Sequence, residues 1–524
     1  MDIGLLIRDA LGVRREGWAG DRPALSLEDG PTWTYAELNA YANRCANALL
    51  GLGIGSGDRV GALLYNSLEY LGFYFGAARI GAVVVRLNWR LAPAEVRFAI
   101  DDAGCRALVV HDRLAADLPV AVTAGVEHLI CLPYEDGVEA PAEAFTEEFI
   151  AAADPGEPDV APPDAGDRLM IMYTSGTSGR PKGAVWTHGN SLAYAAMQVT
   201  AYDFDRTSVA MTTGPLFHVG SLENLLLAAL MVKGHGVLIR SGGFDSARVL
   251  GAMEARGVTD ALLQTSLLYD ALRSGAIGAR SLGPMRMLYT GGTDVAQWAL
   301  DALAEQLPGV AVSTLYGLTE GGAVSTREVL DRDDLEEGSV GYPMPLTEVR
   351  VRREDGTDAE ADEVGEICVR SGSSAREYWN KPEASAETFA GGWCRTGDLG
   401  RLRADGRLQI TGRLKDMIRS GGENIYPVEI ENVLMALGEV ADAAVIAVPD
   451  AKYGEAVCAV VVLEPGAVLG ADAVVERCRQ ELASYKKPRH VVFLDELPRS
   501  HTGKVEKAAL REAYRDLGSV GVDA

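Results

Sequence analysis

Between Thr174 and Gly183 the chain reads TSGTSGRPKG, a run that gathers hydroxyls, glycines and a lysine around one short stretch of backbone. Gly176, Gly179 and Gly183 relax the main chain so that amide N–H groups can converge on an anion. Thr174, Ser175, Thr177 and Ser178 add hydroxyl donors, and Lys182 adds charge. That is chemistry suited to a triphosphate. Apolar LMIMY (169–173) precedes the loop and AVW (184–186) follows it, so the loop is expected to join two strands. A Walker A loop would open a helix after its Gly-Lys. Here Gly179 is followed by Arg180-Pro181-Lys182-Gly183, and Pro181 with Gly183 opposes immediate helix formation, so a P-loop NTPase is excluded. Taken alone, the run is equally a solvated Gly/Ser/Thr turn.

Four further segments carry chemistry in excess of their length. YGLTE (316–320) puts an aromatic ring, a glycine, a hydroxyl and a carboxylate side by side, and RTGDL (395–399) sets an aspartate in a tight glycine turn. GRLKDMIRSGGENIYPVEIE (412–431) combines Arg413, Lys415 and Arg419 with Gly421-Gly422, and PRSHTGKVEK (498–507) presents Lys504 beside Gly503. Each has a plain alternative as a buried turn, an Asp turn, a helix start or a basic tail. Their occurrence together, in this order, is not explained by solvated loops.

Apolar spacing indicates what must position these groups. Leu38, Tyr41, Ala42, Cys45 and Leu49 fall on one helical face, Val60–Tyr65 is a strand-length run, and the pair recurs with a helix over 69–80 and a strand over 82–87. Such alternation predicts layered α/β architecture with largely parallel sheets. GLGIGSG (51–57) precedes its strand and lacks dinucleotide spacing, so it reads as a helix-ending loop. Pro, Ala and Asp dominate 151–168, an expected exposed connection. Short strands between Gly/Asp turns over 345–411 suggest a small antiparallel or barrel-like unit. Beyond it, helices over 428–437 and 471–482 and strands over 443–448 and 456–463 return to mixed structure.

Composition narrows the classes. A chain of 524 residues with 48% hydrophobic content can bury several cores, and its net charge of −25 argues against nonspecific attraction to nucleic acid or anionic lipid. Seven scattered cysteines without a C-x-x-C pair indicate neither a zinc site nor a disulfide framework. The N-terminal MDIGLLIRDALGVRRE has too short an apolar run for a signal peptide and has the spacing of a surface helix, and the apolar stretch 62–85 is broken by Asn66, Glu69 and Arg79. No membrane span and a reducing cytoplasm are expected.

With TYAEL (34–38) added, the ordered motifs span nearly the whole chain, which resembles the adenylate-forming superfamily of acyl-CoA synthetases, aryl-CoA ligases, peptide-synthetase adenylation domains and beetle luciferases. The resemblance implies an α/β fold. A large N-terminal domain (1–413) of layered α/β subdomains with a small β-barrel-like subdomain would precede a small mobile C-terminal α+β domain (414–524). It also implies a reaction in which a carboxylate attacks the α-phosphorus of ATP, pyrophosphate leaves, and a thiol captures the acyl-AMP. The 174–183 loop (Thr174, Ser175, Gly176, Thr177, Ser178, Gly179, Lys182) would hold the β- and γ-phosphates, Thr319 the α-phosphate, and Glu320 a Mg2+ ion. Tyr316 would stack on adenine beside Gly317, Gly291 and Gly292 would admit the nucleotide closely, and Asp398 helped by Arg413 would bind the ribose. Lys504 would stabilise charge during adenylation and then be withdrawn as the C-terminal domain turns about Lys415, presenting Gly421 and Gly422 to the pantetheine of coenzyme A. The same resemblance leaves open an acyl carrier protein in place of coenzyme A, and a homodimer.

The acid is a separate question. Amino-acid-activating relatives place an Asp after the Phe of PLFHVGS (215–221), whereas here His218 follows Phe217, which disfavours an amino acid. FDS (244–246) does not replace that Asp, because Asp245 or Ser246 reads as a helix N-cap. His218 would lie near the reacting carboxylate and thiol. Val219, Gly220, Ser221, Asn224, Thr265, Ser266, Thr290, Gly322 and Ala323 would line the acyl pocket; most are small and none is charged, so a hydrophobic fatty, aryl or polycyclic acid is expected.

Overall fold

The strands expected on either side of the phosphate-type loop form the antiparallel hairpin Arg168–Thr174 and Lys182–Thr187, with Thr174 opposite Lys182 at its loop end. The computed structural model describes the chain apart from residues 9–18, 135–137, 175–180, 243–244, 292–294, 335–337, 421–422, 451, 500–504 and 518–524.

Two compact units divide the chain. One comprises Met1–Val349, Cys368–Thr396 and Gly406–Leu408; the other comprises Arg350–Ile367, Gly397–Asp405 and Gln409–Ala524. In the first unit the hairpin belongs to a seven-stranded sheet. From one edge its order is Glu377–Tyr378, Lys182–Thr187, Arg168–Thr174, Val83–Arg86, Arg59–Leu63, Ala107–His111 and His128–Leu132. The strands from Arg168–Thr174 to His128–Leu132 pair in parallel. Val83–Arg86 and Ala107–His111 are buried at every position, as expected of parallel strands covered on both faces. Helix Leu68–Arg79, buried along almost its whole length, packs on Tyr35–Gly51. The latter starts at a capping box in which the Thr34 hydroxyl accepts from Glu37 N–H while the Glu37 carboxylate accepts from Thr34 N–H.

A nine-stranded sheet completes this unit. Its parallel centre runs Ala311–Tyr316, Met287–Gly291, Asp260–Leu262, Val209–Thr212, His235–Leu238 and Pro23–Leu27, with antiparallel strands at both edges. Ligands of open parallel sheets bind beyond the carboxyl ends of the strands. Gly291 and Tyr316 are the last residues of their strands, and Thr174 is the last of its own. The 345–411 region supplies a four-stranded sheet, in the order Thr347–Arg352, Gly365–Ser371, Cys394–Leu402, Leu408–Arg413.

In the second unit, Val440–Asp450 and Gly454–Leu463 form a long hairpin. His490–Leu494 adds in parallel to one side, and Ile418–Ser420 pairs antiparallel beside Glu423–Ile425. Alternate residues serve two cores. Ala443 and Val445 face Ile430, Leu434 and Val474 of two helices, whereas Ala444, Ile446 and Val448 face Leu497 and Leu510.

One local expectation is corrected. The N-terminal segment is no surface helix in its described part: only Leu5–Arg8 is helical, and Ile3, Leu6 and Ile7 are buried in the main core. Asp2 goes in with them because Arg8 pairs with it at 2.6 Å and Gly4 N–H donates to it. Asp245 does cap a helix, accepting from Arg248 N–H. Among the described residues no helix is long and apolar enough to cross a membrane. All seven cysteines are buried and unbridged.

Candidate active site

Glu320 gathers groups around the loop end of the hairpin. Its Oε1 accepts from the Thr174 hydroxyl at 2.8 Å and from the Tyr378 hydroxyl at 3.0 Å, so the end of the hairpin and the YGLTE carboxylate are directly linked. The main chain beneath is fixed from two sides: Trp186 Nε1–H donates to Thr319 carbonyl at 2.9 Å, and Ala375 N–H donates to Glu320 carbonyl at 3.0 Å. Lys182 places its ammonium 5.1 Å from the centre of the Tyr378 ring. Burial, followed by the Glu320 charge, raises the Tyr378 pKa, which keeps the phenol a donor. Thr319 and Glu320 retain only a little solvent exposure.

The turn that carries them demands its glycine. A side chain at Gly317 would overlap the carbonyl oxygen of Ala323, because the chain folds back at once, with Ser325 N–H donating to Tyr316 carbonyl at 2.8 Å. Ala323 adopts a φ of +69°, a left-handed conformation that a non-glycine residue rarely takes. Gly291 lies opposite Leu315 in the adjacent strand, whose carbonyl a side chain would meet at 2.6 Å.

The residues expected to contact the acid lie in the same unit. His218 caps the short helix Val219–Ser221, its Nδ1 accepting from Gly220 N–H at 3.1 Å. Asn224 sits in a π-turn over Leu222–Leu226 and accepts from Tyr194 hydroxyl at 3.3 Å. Thr265 and Thr290 share a hydrogen bond at 2.8 Å, Ser266 is exposed at the start of helix Thr265–Arg273, and Gly322 and Ala323 are buried beside the YGLTE turn.

In the other unit Arg413 Nε lies 2.9 Å from Asp398 Oδ1, with Asp398 8% and Arg413 48% exposed. Leu414 N–H donates to the carbonyl of Gly397, which returns the chain past Asp398, and Lys415 is exposed in the turn that follows. Ser175, Gly176, Thr177, Ser178, Gly179, Gly292, Gly421, Gly422 and Lys504 lie outside the described residues.

Tyr378 escapes the motif analysis. Its two-residue strand pairs with Val185 and Ala184 from nearly two hundred positions away, and REYWN has no periodicity that marks it. Trp186, noticed only as the residue after the loop, turns out to hold Thr319.

Residues 14–379 match the AMP-binding enzyme family, and residues 429–504 match the AMP-binding enzyme C-terminal domain. The chain belongs to this family. It is 38% identical over 517 residues, 98% of each chain, to the long-chain-fatty-acid–CoA ligase FadD13 of Mycobacterium tuberculosis. It is 37% identical to a feruloyl-CoA synthase of an Amycolatopsis species, covering 93% of this chain and 94% of that one. ATP-bound MatB from Rhodopseudomonas palustris superposes with a TM-score of 0.87 at 31% identity, over 99% of this chain and 100% of that one. The protein is accordingly an acid–thiol ligase of the AMP-forming, acyl-CoA synthetase kind, as the ordered motifs imply.

Proposed function

We propose that this AMP-binding enzyme activates a hydrophobic fatty, aryl or polycyclic carboxylic acid with ATP and passes the acyl group to coenzyme A. The observation that carries the nucleotide half is the Thr174–Glu320–Tyr378 cluster beside Lys182, at the carboxyl ends of strands. Attack by a carboxylate on a polyphosphate brings like charges together, so cations and aligned donors must stabilise charge that moves onto pyrophosphate. Lys182 and the hairpin loop take the outer phosphates, Thr319 the α-phosphate, Tyr316 the adenine, and Asp398 with Arg413 the ribose. Lys504 neutralises charge on the reacting carboxylate and α-phosphate in the first step, and is withdrawn for the second as the C-terminal domain turns at Lys415.

Glu320 fits a magnesium ion: its ligand atoms are hard oxygens, and a single buried carboxylate suits an ion that is otherwise held by phosphate and water. Among the described residues no group of three acidic, histidine or cysteine side chains forms a cage, in keeping with an ion that enters with the nucleotide. When bound, it would screen the charge of the phosphates.

The acid class rests on the small, uncharged walls from Val219 to Ala323 and on the fatty and aromatic acids that the relatives' names specify. ATP–pyrophosphate exchange across an acid panel, with thioester read by mass in the presence of free coenzyme A, tests the reading. Long-chain and cyclic acids should exceed acetate and amino acids. The reverse order would overturn the acid class, and thioester formed only on a carrier protein would redirect the acceptor.

A further inference from the structure

Residues 214–224 leave the nine-stranded sheet after Val209–Thr212, yet buried side chains from outside that sheet fix their backbone. Arg86, the last residue of its strand, donates through Nη2 to the carbonyls of Leu216 and, at 3.0 Å, His218. Its Nη1 meets both oxygens of Glu223 at 2.6 and 2.7 Å. Asn66, just beyond the neighbouring strand, donates to Gly214 carbonyl at 3.0 Å and accepts from Leu216 N–H at 2.8 Å. Gln198 holds the far end: its Nε2 donates to Glu223 carbonyl at 2.9 Å and its Oε1 accepts from Leu225 N–H at 2.7 Å, where Leu225 has a φ of +67°. All four side chains are buried.

The chemistry of this arrangement is directional. Burial opposes the charge on Arg86, but Glu223 outweighs it and raises the Arg86 pKa, so the guanidinium stays a donor to fixed carbonyls. A hydrophobic pair of similar volume would fill the space and remove two buried charges, often without loss of stability. It would not grip the main chain on either side of Phe217. What the ionic pair adds is therefore position.

We propose that Asn66, Arg86, Gln198 and Glu223 are positioning residues that set His218 and Asn224 against the acid, and through them tune acid affinity and selectivity. The proposal rests on the reading of residues 218–224 as a wall of the acid site.

The test compares the full-length wild type, Glu223→Gln and the double variant Arg86→Met/Glu223→Leu, by thermal unfolding, ATP–pyrophosphate exchange and amide hydrogen exchange. The double variant should regain the wild-type melting temperature. Its KM for the preferred acid should nonetheless stay about tenfold raised, with a flattened acid preference and the KM for ATP within about twofold of wild type. Recovery of acid KM together with melting temperature would show a purely structural pair and overturn the proposal. In Glu223→Gln, amides of 214–224 should exchange about tenfold faster while those of 168–174 keep their protection; unchanged exchange at 214–224 also overturns it. Should no acid support exchange in the wild type, the acid-activating function fails, and the amide measurement decides on the clamp by itself.

Discussion

Arg86–Glu223 and Arg413–Asp398 join the same two kinds of group at nearly the same distance, 2.6 and 2.9 Å, but one pair is sealed and the other is not. Neither side chain of the first has any exposure, and the remaining bonds of Arg86 go to carbonyls and methionine sulfurs of its own chain. Arg413 stands half in solvent over a nearly buried Asp398. The difference separates two uses of charge. A sealed pair can act only on the fold around it, whereas an accessible pair can exchange part of its bonding for a ligand.

Acid gives the largest contrast. His111 Nδ1 accepts from Tyr65 N–H at 2.9 Å and His188 Nδ1 accepts from Ile3 N–H at 3.2 Å, so both rings are neutral, and burial lowers His111 to about 3 and His188 and His235 to about 4. The unfolded chain takes up these protons near pH 6.5, so stability falls as pH drops from about 6.5 toward 4, by up to about 1.4 kcal/mol per pH unit for each ring, and is insensitive to them above that window. All three belong to the unit with the sealed pair, as do the six tryptophans among the described residues. Tryptophan emission should therefore report a steep loss of thermal stability between pH 6.5 and 5. A flat profile would break the assignment of neutral rings.

Next in size, Glu223→Ala should destabilise by about 3–5 kcal/mol in denaturant titration, because it strands a buried guanidinium, whereas Asp398→Ala should fall within about 1 kcal/mol of wild type. Equal losses would erase the distinction. In activity the ranking shifts: Asp398→Ala should lower kcat/KM for ATP about a hundredfold, roughly 2.7 kcal/mol, with the melting temperature nearly unchanged. Smallest, Tyr378→Phe removes one of two hydroxyls on Glu320 and should reduce pyrophosphate exchange about fivefold, about 1 kcal/mol, without affecting the fold. A neutral result there would show that Thr174 alone orients the carboxylate.

Local pattern revealed much of this architecture. The hairpin around the loop, the alternating helices and strands of 34–87 and the helices Pro427–Met435 and Ala471–Glu481 follow from apolar spacing. Thr174, Lys182, Thr319 and Glu320 stand out because their types are unusual together. Arg86 does not, since an arginine at the end of VVVR looks like a solvated strand terminus until the distant segment 214–224 supplies Glu223 and two carbonyls. Tyr378 is hidden for the same reason, its partners being distant in sequence. The burial of Leu6 and Ile7 was illegible because a short amphipathic segment looks alike whether it lies on a surface or is tucked beneath a helix.

The buried cysteines acquire a meaning once the product of the first step is considered. An acyl adenylate is a strong electrophile, generated inside the protein that must survive it. No thiol of this chain is open to it: all seven are enclosed, and burial raises the pKa of Cys105 and Cys458 to about 12 and that of Cys131 and Cys478 to about 11, so their thiolates are scarce at neutral pH. The enzyme's own thiols are thereby protected from acylation, and the sulfur that reacts is one brought from outside.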